Sequence, residues 1–226
     1  VEPDVFLFPY QRRIKDKLTR LLIKKENRVL VHMPTGAGKT RTSIEALIDY
    51  WRTYSDRSGF LLWLAHSEEL CEQAVETFEK IWRVRGDSTI TIYRAWGNHE
   101  TPDFGKDSGI IVASFQKLYS MITSSENNVF IQINKLKNNC GIILIDEAHK
   151  VIAPTYKQSL DFISNENTKI IGLTATPGRE TQLGESENFF ETKALILFFQ
   201  GNKISIVDEN DKEIEDPILY LQSQGY

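Results

Sequence analysis

Two short clusters carry residue types that could do chemistry together. The first is Met33-Pro34-Thr35-Gly36-Ala37-Gly38-Lys39-Thr40. Glycines at Gly36 and Gly38 let backbone N–H groups turn inward and approach phosphate oxygens. A helix starting there would add partial positive charge. Lys39 can supply a cation to the β- and γ-phosphates, and the Thr40 hydroxyl can ligate Mg²⁺. Residues 35–40 (Thr35, Gly36, Ala37, Gly38, Lys39 and Thr40) are therefore the expected seat of a nucleoside triphosphate. The general phosphate-loop pattern has glycine where this chain has Met33. The second cluster is Asp146-Glu147-Ala148-His149, which follows Ile142-Ile143-Leu144-Ile145. An apolar strand ending in two carboxylates is costly unless they meet a cation or water. Asp146 suits a Mg²⁺ shell, and Glu147 suits orienting and deprotonating an attacking water. Lys39, Asp146 and Glu147 form the expected catalytic set, and Thr40 and Asp146 the expected metal set.

These groups need a scaffold that presents strand ends and helix starts side by side. Short, almost continuous apolar runs at 29–33, 60–65, 110–113, 142–145, 170–173 and 194–199 read as strands buried on both faces. Residues 89–93 suggest a further strand. Helical spacing lies between the runs. It joins Tyr10, Ile14, Leu18, Leu21 and Leu22 after Pro9; Ile44, Leu47, Ile48 and Trp51; Leu70, Ala74, Phe78 and Ile81 after a Ser67 cap; and Tyr156, Ser159, Leu160 and Ile163 after Pro154. Strands alternating with helices predict a three-layer α/β domain with a mostly parallel sheet and helices on both faces. In such sheets ligands bind beyond the carboxyl ends of the strands, where both clusters would sit. Residues 97–109 and 178–187 read as surface loops. Residues 203–207 and 212–214 flank a turn at 208–211 and predict a small C-terminal hairpin, and the chain after Pro217 reads as a linker.

Composition narrows the class. The chain has 226 residues, 41% hydrophobic and 26% charged, which is ordinary globular usage and argues against wholesale disorder. Two cysteines, Cys71 and Cys140, exclude a disulfide framework and a four-thiolate zinc site, and fit a reducing compartment such as the cytoplasm. No apolar run is long enough to suggest a membrane partner. A net charge of −4 argues against a globally basic nucleic-acid binder but allows local phosphate contacts. The chain starts at Val1 rather than Met, so a longer parent chain is expected.

The two clusters and a third, Gly172-Leu173-Thr174-Ala175-Thr176-Pro177, resemble motifs I, II and III of superfamily 2 helicases in residues, order and spacing. That superfamily commonly lacks glycine at the Met33 position. The Asp-Glu-Ala-His and Thr-Ala-Thr-Pro forms, with Phe8-Pro9-Tyr10-Gln11 ahead of them, look most like the branch holding the type I and type III restriction motor subunits and related DEAD/DEAH-box helicases.

The resemblance implies a RecA-like domain that binds ATP and Mg²⁺. It implies that Gln11 reads the adenine edge, and that His149, Thr174 and Thr176 couple hydrolysis to strand engagement. His66 with Gln73, and Ser114 with Gln116, match motifs that touch the nucleic-acid backbone, with DNA favoured over RNA. Residues 1–200 would be the first motor domain, and residues 201–226 a small hairpin leading to a second RecA-like domain that supplies arginines to the γ-phosphate. Restriction or repair subunits would be further partners. The expected function is an ATP-dependent helicase or translocase. A duplex-DNA translocase without strand separation, or a non-catalytic nucleotide-binding scaffold, stand as alternatives.

Overall fold

Pro9 occupies the first turn of helix α1 (Pro9–Ile23), where its missing N–H would have had no partner. The side chain of Gln11, two residues later, accepts the Phe8 N–H at 2.9 Å and closes that end. Tyr10, Ile14, Leu18 and Leu22 are buried along one stripe, as their spacing predicts. The computed structural model describes residues 6–24, 27–54, 59–175, 193–208, 212–214 and 216–226.

The strands are β1 (Arg28–His32), β2 (Phe60–Ala65), β3 (Ile92–Ala95), β4 (Gly109–Ser114), β5 (Cys140–Ile145), β6 (Lys169–Thr174) and β7 (Lys203–Ile204). They form one seven-stranded sheet in the order β3-β4-β2-β5-β6-β1-β7. Every pairing is parallel. Between the strands run α2 (Lys39–Tyr54), α3 (Glu68–Arg85), α4 (Phe115–Ile122), α5 (Asn127–Asn139) and α6 (Pro154–Ile163), with a 3₁₀ turn at Ala148–Ile152. Residues 193–198 are helical and are named α7, and α8 is Pro217–Ser223.

Alternate strand residues feed two cores, one per face. Val29, Val31, Leu61, Trp63, Leu144 and Ile171 pack against α1, α2 and α3. Leu30, Leu62, Leu64, Ile143, Ile145 and Ile170 pack against α4, α5, α6 and α7. Strands covered on both sides must be apolar throughout, and β2 is buried at every position. Ser67 caps α3, its hydroxyl accepting the Leu70 N–H at 3.3 Å as expected.

Three features differ from the sequence reading. The apolar run at 194–199 is a helix, not a strand. Leu195 and Phe199 turn inward at i, i+4 spacing, and the Phe199 N–H reaches the Leu195 carbonyl, while Ile196 and Leu197 face out. The strand expected at 89–93 lies at Ile92–Ala95, on the sheet edge. The chain past Pro217 is the helix α8, whose Leu221 is buried in the first core. The hairpin pairs Val207 with Glu213 in antiparallel fashion, and its first arm starts from β7, which joins the main sheet beside β1. The stretch at 178–187 lies outside the described residues.

Helices α1, α2 and α3 are tied by charge as well as by packing. Glu45 on α2 is 1% exposed and meets Arg85 at 3.0 Å and Arg41 at 3.4 Å. Asp49, one turn on, meets Lys15 of α1 at 2.5 Å and Arg85 at 3.1 Å.

Candidate functional site

The loop after β1 turns through Gly36 (φ 79°) and Gly38 (φ 77°) and delivers Lys39 to the first position of α2. Gly38 is held by two constraints. A side chain would be strained at that φ, and a Cβ would run into Nε2 of Gln11. Gln11 is 4% exposed, and its Nε2 donates to the Ala37 carbonyl at 2.9 Å. The Tyr10 hydroxyl donates to the same oxygen at 3.1 Å. Thus α1 is fastened to the loop through both residues. Thr35 and Gly36 are exposed at the tip, while Lys39 and Thr40 are half-buried at the start of α2. Nothing in the sequence pattern marked the Tyr10 hydroxyl, because its spacing reads simply as core.

The acidic cluster leaves β5. Asp146 is 6% exposed, and its Oδ1 accepts the Glu147 N–H at 3.0 Å. Burial pushes the Asp146 carboxyl above the usual range, with the Glu147 charge adding to the rise, while the Glu147 N–H and the Lys39 charge pull it down. A buried carboxylate still able to accept, with a cation within electrostatic reach, fits one side of a Mg²⁺ shell. Mg²⁺ commonly uses one or two protein groups, completed by phosphate and water. Thr40, at the head of the facing helix, fits the other side. Among the described residues no three acidic, histidine or cysteine side chains cluster to hold a metal alone.

Glu147 has φ 52° and ψ 52°, a left-handed backbone rare outside glycine. Its Oε2 lies 3.3 Å from Nδ1 of His149, a close approach without hydrogen-bond geometry. Thr174 is fully buried at the end of β6, opposite His32 of β1, and its carbonyl accepts the Met33 N–H at 3.1 Å. Loop, Thr174 and acidic cluster therefore leave three adjacent strands, β1, β6 and β5, along one edge of the parallel sheet, the row of strand carboxyl ends. Thr176 lies outside the described residues.

Along the same edge, past β2 and β4, a cleft of about 590 Å³ opens. It is lined by His66, Ser67, Glu68, Ser114, Gln116 and Lys117, among others. The N-termini of α3 and α4 face it, and Ser114 caps α4 by accepting the Lys117 N–H at 3.1 Å. Two helix starts, hydroxyls, an amide and a lysine favour phosphate along this wall, while the Glu68 carboxylate opposes it. The structure brings His66, Ser114 and Gln116 together there. Gln73 sits apart, on the exposed face of α3, within 3.4 Å of Glu69. Lys117 went unnoticed in the sequence, although a serine cap followed three residues later by lysine could have flagged it.

Known proteins are similar to this chain in sequence and in fold. Residues 4–179 match the family described as type III restriction enzyme, res subunit. The putative ATP-dependent helicase IRC3 of Saccharomyces cerevisiae is 30% identical over 74% of this chain and 23% of its own length. The type I restriction enzyme EcoKI endonuclease subunit of Escherichia coli is 29% identical over 90% of this chain and 18% of its own. This chain thus spans less than a quarter of either relative. The helicase domain of Hef from Pyrococcus furiosus superposes with a TM-score of 0.60 at 22% identity, over 90% of this chain and 38% of that one, and so shares the fold. With residues 4–179, most of its length, matched by the family model, the chain belongs to the family described as type III restriction enzyme, res subunit.

Proposed function

We propose that this chain is the first motor domain of an ATP-driven helicase or translocase that works on nucleic acid, DNA in preference to RNA. The carrying observation is the shared edge. The phosphate loop, Thr174 and the carboxylates leave neighbouring strands, and the cleft continues the same row. Residues 35–40 would cradle ATP, with Lys39 on the β- and γ-phosphates. Thr40 and Asp146 would hold Mg²⁺, whose chemistry is to neutralise phosphate charge. Glu147 would orient the attacking water and take its proton. Gln11, now bonded to Phe8 and Ala37, would exchange those partners for the adenine edge. His149, Thr174 and Thr176 would couple hydrolysis to strand engagement. His66, Ser114, Gln116 and Lys117 would face the backbone, with Gln73 further along α3.

In this reading residues 1–200 are the motor lobe, and residues 201–226 lead toward a second lobe that supplies arginines. An arginine delivered to the γ-phosphate accelerates related phosphoryl transfers by about 10³–10⁵. The chain alone should therefore bind ATP and turn it over slowly. The test is ATP hydrolysis by this chain and by a longer parent protein, with and without DNA. K39A and E147Q should abolish turnover in both. A parent protein whose function survives E147Q without loss would point to a scaffold instead.

A second reading is favoured by the restriction subunits among the relatives. The parent protein would then translocate on duplex DNA without parting the strands. Triplex displacement without strand separation would support it.

A further inference from the structure

We propose that His66 is a positioning residue for Glu147, carrying the occupancy of the cleft to the carboxylate that would activate water. The inference rests on the functional reading above and deepens it.

Strand register supplies the geometry. β2 and β5 are neighbours, with Leu64 opposite Ile145, and the Asp146 N–H donates to the Leu64 carbonyl at 2.8 Å. His66 and Glu147 each lie two residues beyond that pair, so they follow the ends of neighbouring strands. On its other flank His66 belongs to the cleft. It lines the wall, and its carbonyl accepts Nε2 of Gln116 at 3.4 Å. His66 therefore stands between the proposed backbone-contact wall, to which it is bonded, and the acidic cluster, which lies within its electrostatic reach.

Its side chain faces the cluster in charge terms. Burial pushes the His66 imidazole pKa down, Lys150 and His149 push the same way, and Glu147 pulls it up. Nδ1 of His66 is buried and makes no hydrogen bond among the described residues. A buried imidazole nitrogen without a partner is costly, which suits a group that acquires its partner in another state.

Glu147 has the matching property. Its backbone is held in a rare conformation, and its carboxylate rests against His149. The carboxylate thus has an imidazole contact on one side and a second imidazole within electrostatic range on the cleft side. A backbone phosphate bound at Ser114 and Gln116 would load the Gln116–His66 bond. A small turn of His66 would then offer its ring N–H to Glu147 in competition with His149. That exchange moves no covalent bond. It re-aims the carboxylate from its rest on His149 toward the γ-phosphate side.

The test separates contact from positioning by splitting plateau from affinity. Single-turnover hydrolysis of ATP·Mg²⁺ by the full chain is followed against the concentration of a duplex oligonucleotide, for wild type, H66A and H66N. The plateau rate of H66A should fall about tenfold or more, as expected for a lost hydrogen bond to a charged group. Half-saturation should weaken by only about two- to threefold, because Ser114, Gln116 and Lys117 remain on the wall. H66N keeps an amide near the Nδ1 position and should recover most of the plateau. Weaker half-saturation with an unchanged plateau would make His66 a backbone contact only and overturn the inference. So would H66A identical to wild type in both quantities, or H66N no better than a folded H66A. If H66A does not fold, H66N decides by the same split, set against H66Q, whose longer amide misplaces the group and should lower the plateau. A wild-type chain whose turnover ignores nucleic acid would remove the functional reading itself, and this inference with it.

Discussion

Gln11 donates its side-chain amide to the carbonyl of Ala37 at 2.9 Å, joining the first helix to the middle of the phosphate loop. The same side chain accepts the Phe8 N–H, so one buried amide holds both its own helix start and the loop. Q11A should lower stability by about 1–3 kcal/mol, because buried polar partners lose their bonds while Tyr10 retains one link to Ala37. It should also weaken ATP binding roughly tenfold, since the loop loses its brace and the proposed adenine contact. Urea unfolding and nucleotide titration would check both, and unchanged values would remove Gln11 from the site.

Asp146 should cost the protein stability. Its carboxyl is raised by burial, so the group favours folding below its unfolded pKa, and that contribution is lost as pH rises through the raised folded value. At neutral pH D146N should therefore be more stable than wild type, by roughly 0.5–2 kcal/mol, while losing Mg²⁺-dependent turnover. The gain should shrink as pH falls, because the wild-type carboxyl then takes up a proton. Melting curves across pH would show it, and a destabilised D146N at neutral pH would contradict it.

The Glu45–Arg85 pair should behave as a buried charge with one leaky side. Removing Arg85 leaves Glu45, 1% exposed, with only Arg41 at 3.4 Å. R85M should cost about 2–3 kcal/mol, less than a fully buried pair, because the Arg85 side chain is 31% exposed and Arg41 remains. E45M combined with R85M should recover much of the loss. A double variant as costly as the sum of its parts, or worse, would show that Glu45 and Arg85 do not stabilise each other.

Cys71 and Cys140 are buried thiols, each pushed up to about 12, chiefly by desolvation. Raised folded values give stability that is full below the unfolded thiol range and is lost as pH rises toward the folded value. Alkaline titration should therefore unfold the chain before either thiol ionises in the native state. An aromatic disulfide reagent should react with neither cysteine at neutral pH until urea is added. Rapid labelling of the folded chain would refute this.

Much of this was legible in local pattern. The phosphate loop and the acidic strand end are contiguous, so residue type and order suffice to read them. β2 appears at the bounds its apolar run suggested. The run at 194–199 misled because an apolar stretch buried beside a sheet has the same composition as a strand. Only the inward turn of Leu195 and Phe199 distinguishes it. Asn127–Asn139 passed unnoticed behind its asparagines, although Val129, Ile133 and Leu136 carry helical spacing. The nearness of His66 to Glu147 could not be read, because β3 and β4 separate them in the chain and only the sheet order makes β2 and β5 neighbours. The Tyr10 hydroxyl escaped for a similar reason, since its target lies on another element.

The strand order has one more consequence. β6 stands between β1 and β5, so the strands that launch Lys39 and Glu147 run two spacings apart, about 10 Å. If residues 35–40 hold ATP as proposed, that interval would act as a length gauge. A single phosphate would lean on one side or the other, and only a longer polyphosphate with its counter-ion would touch both at once.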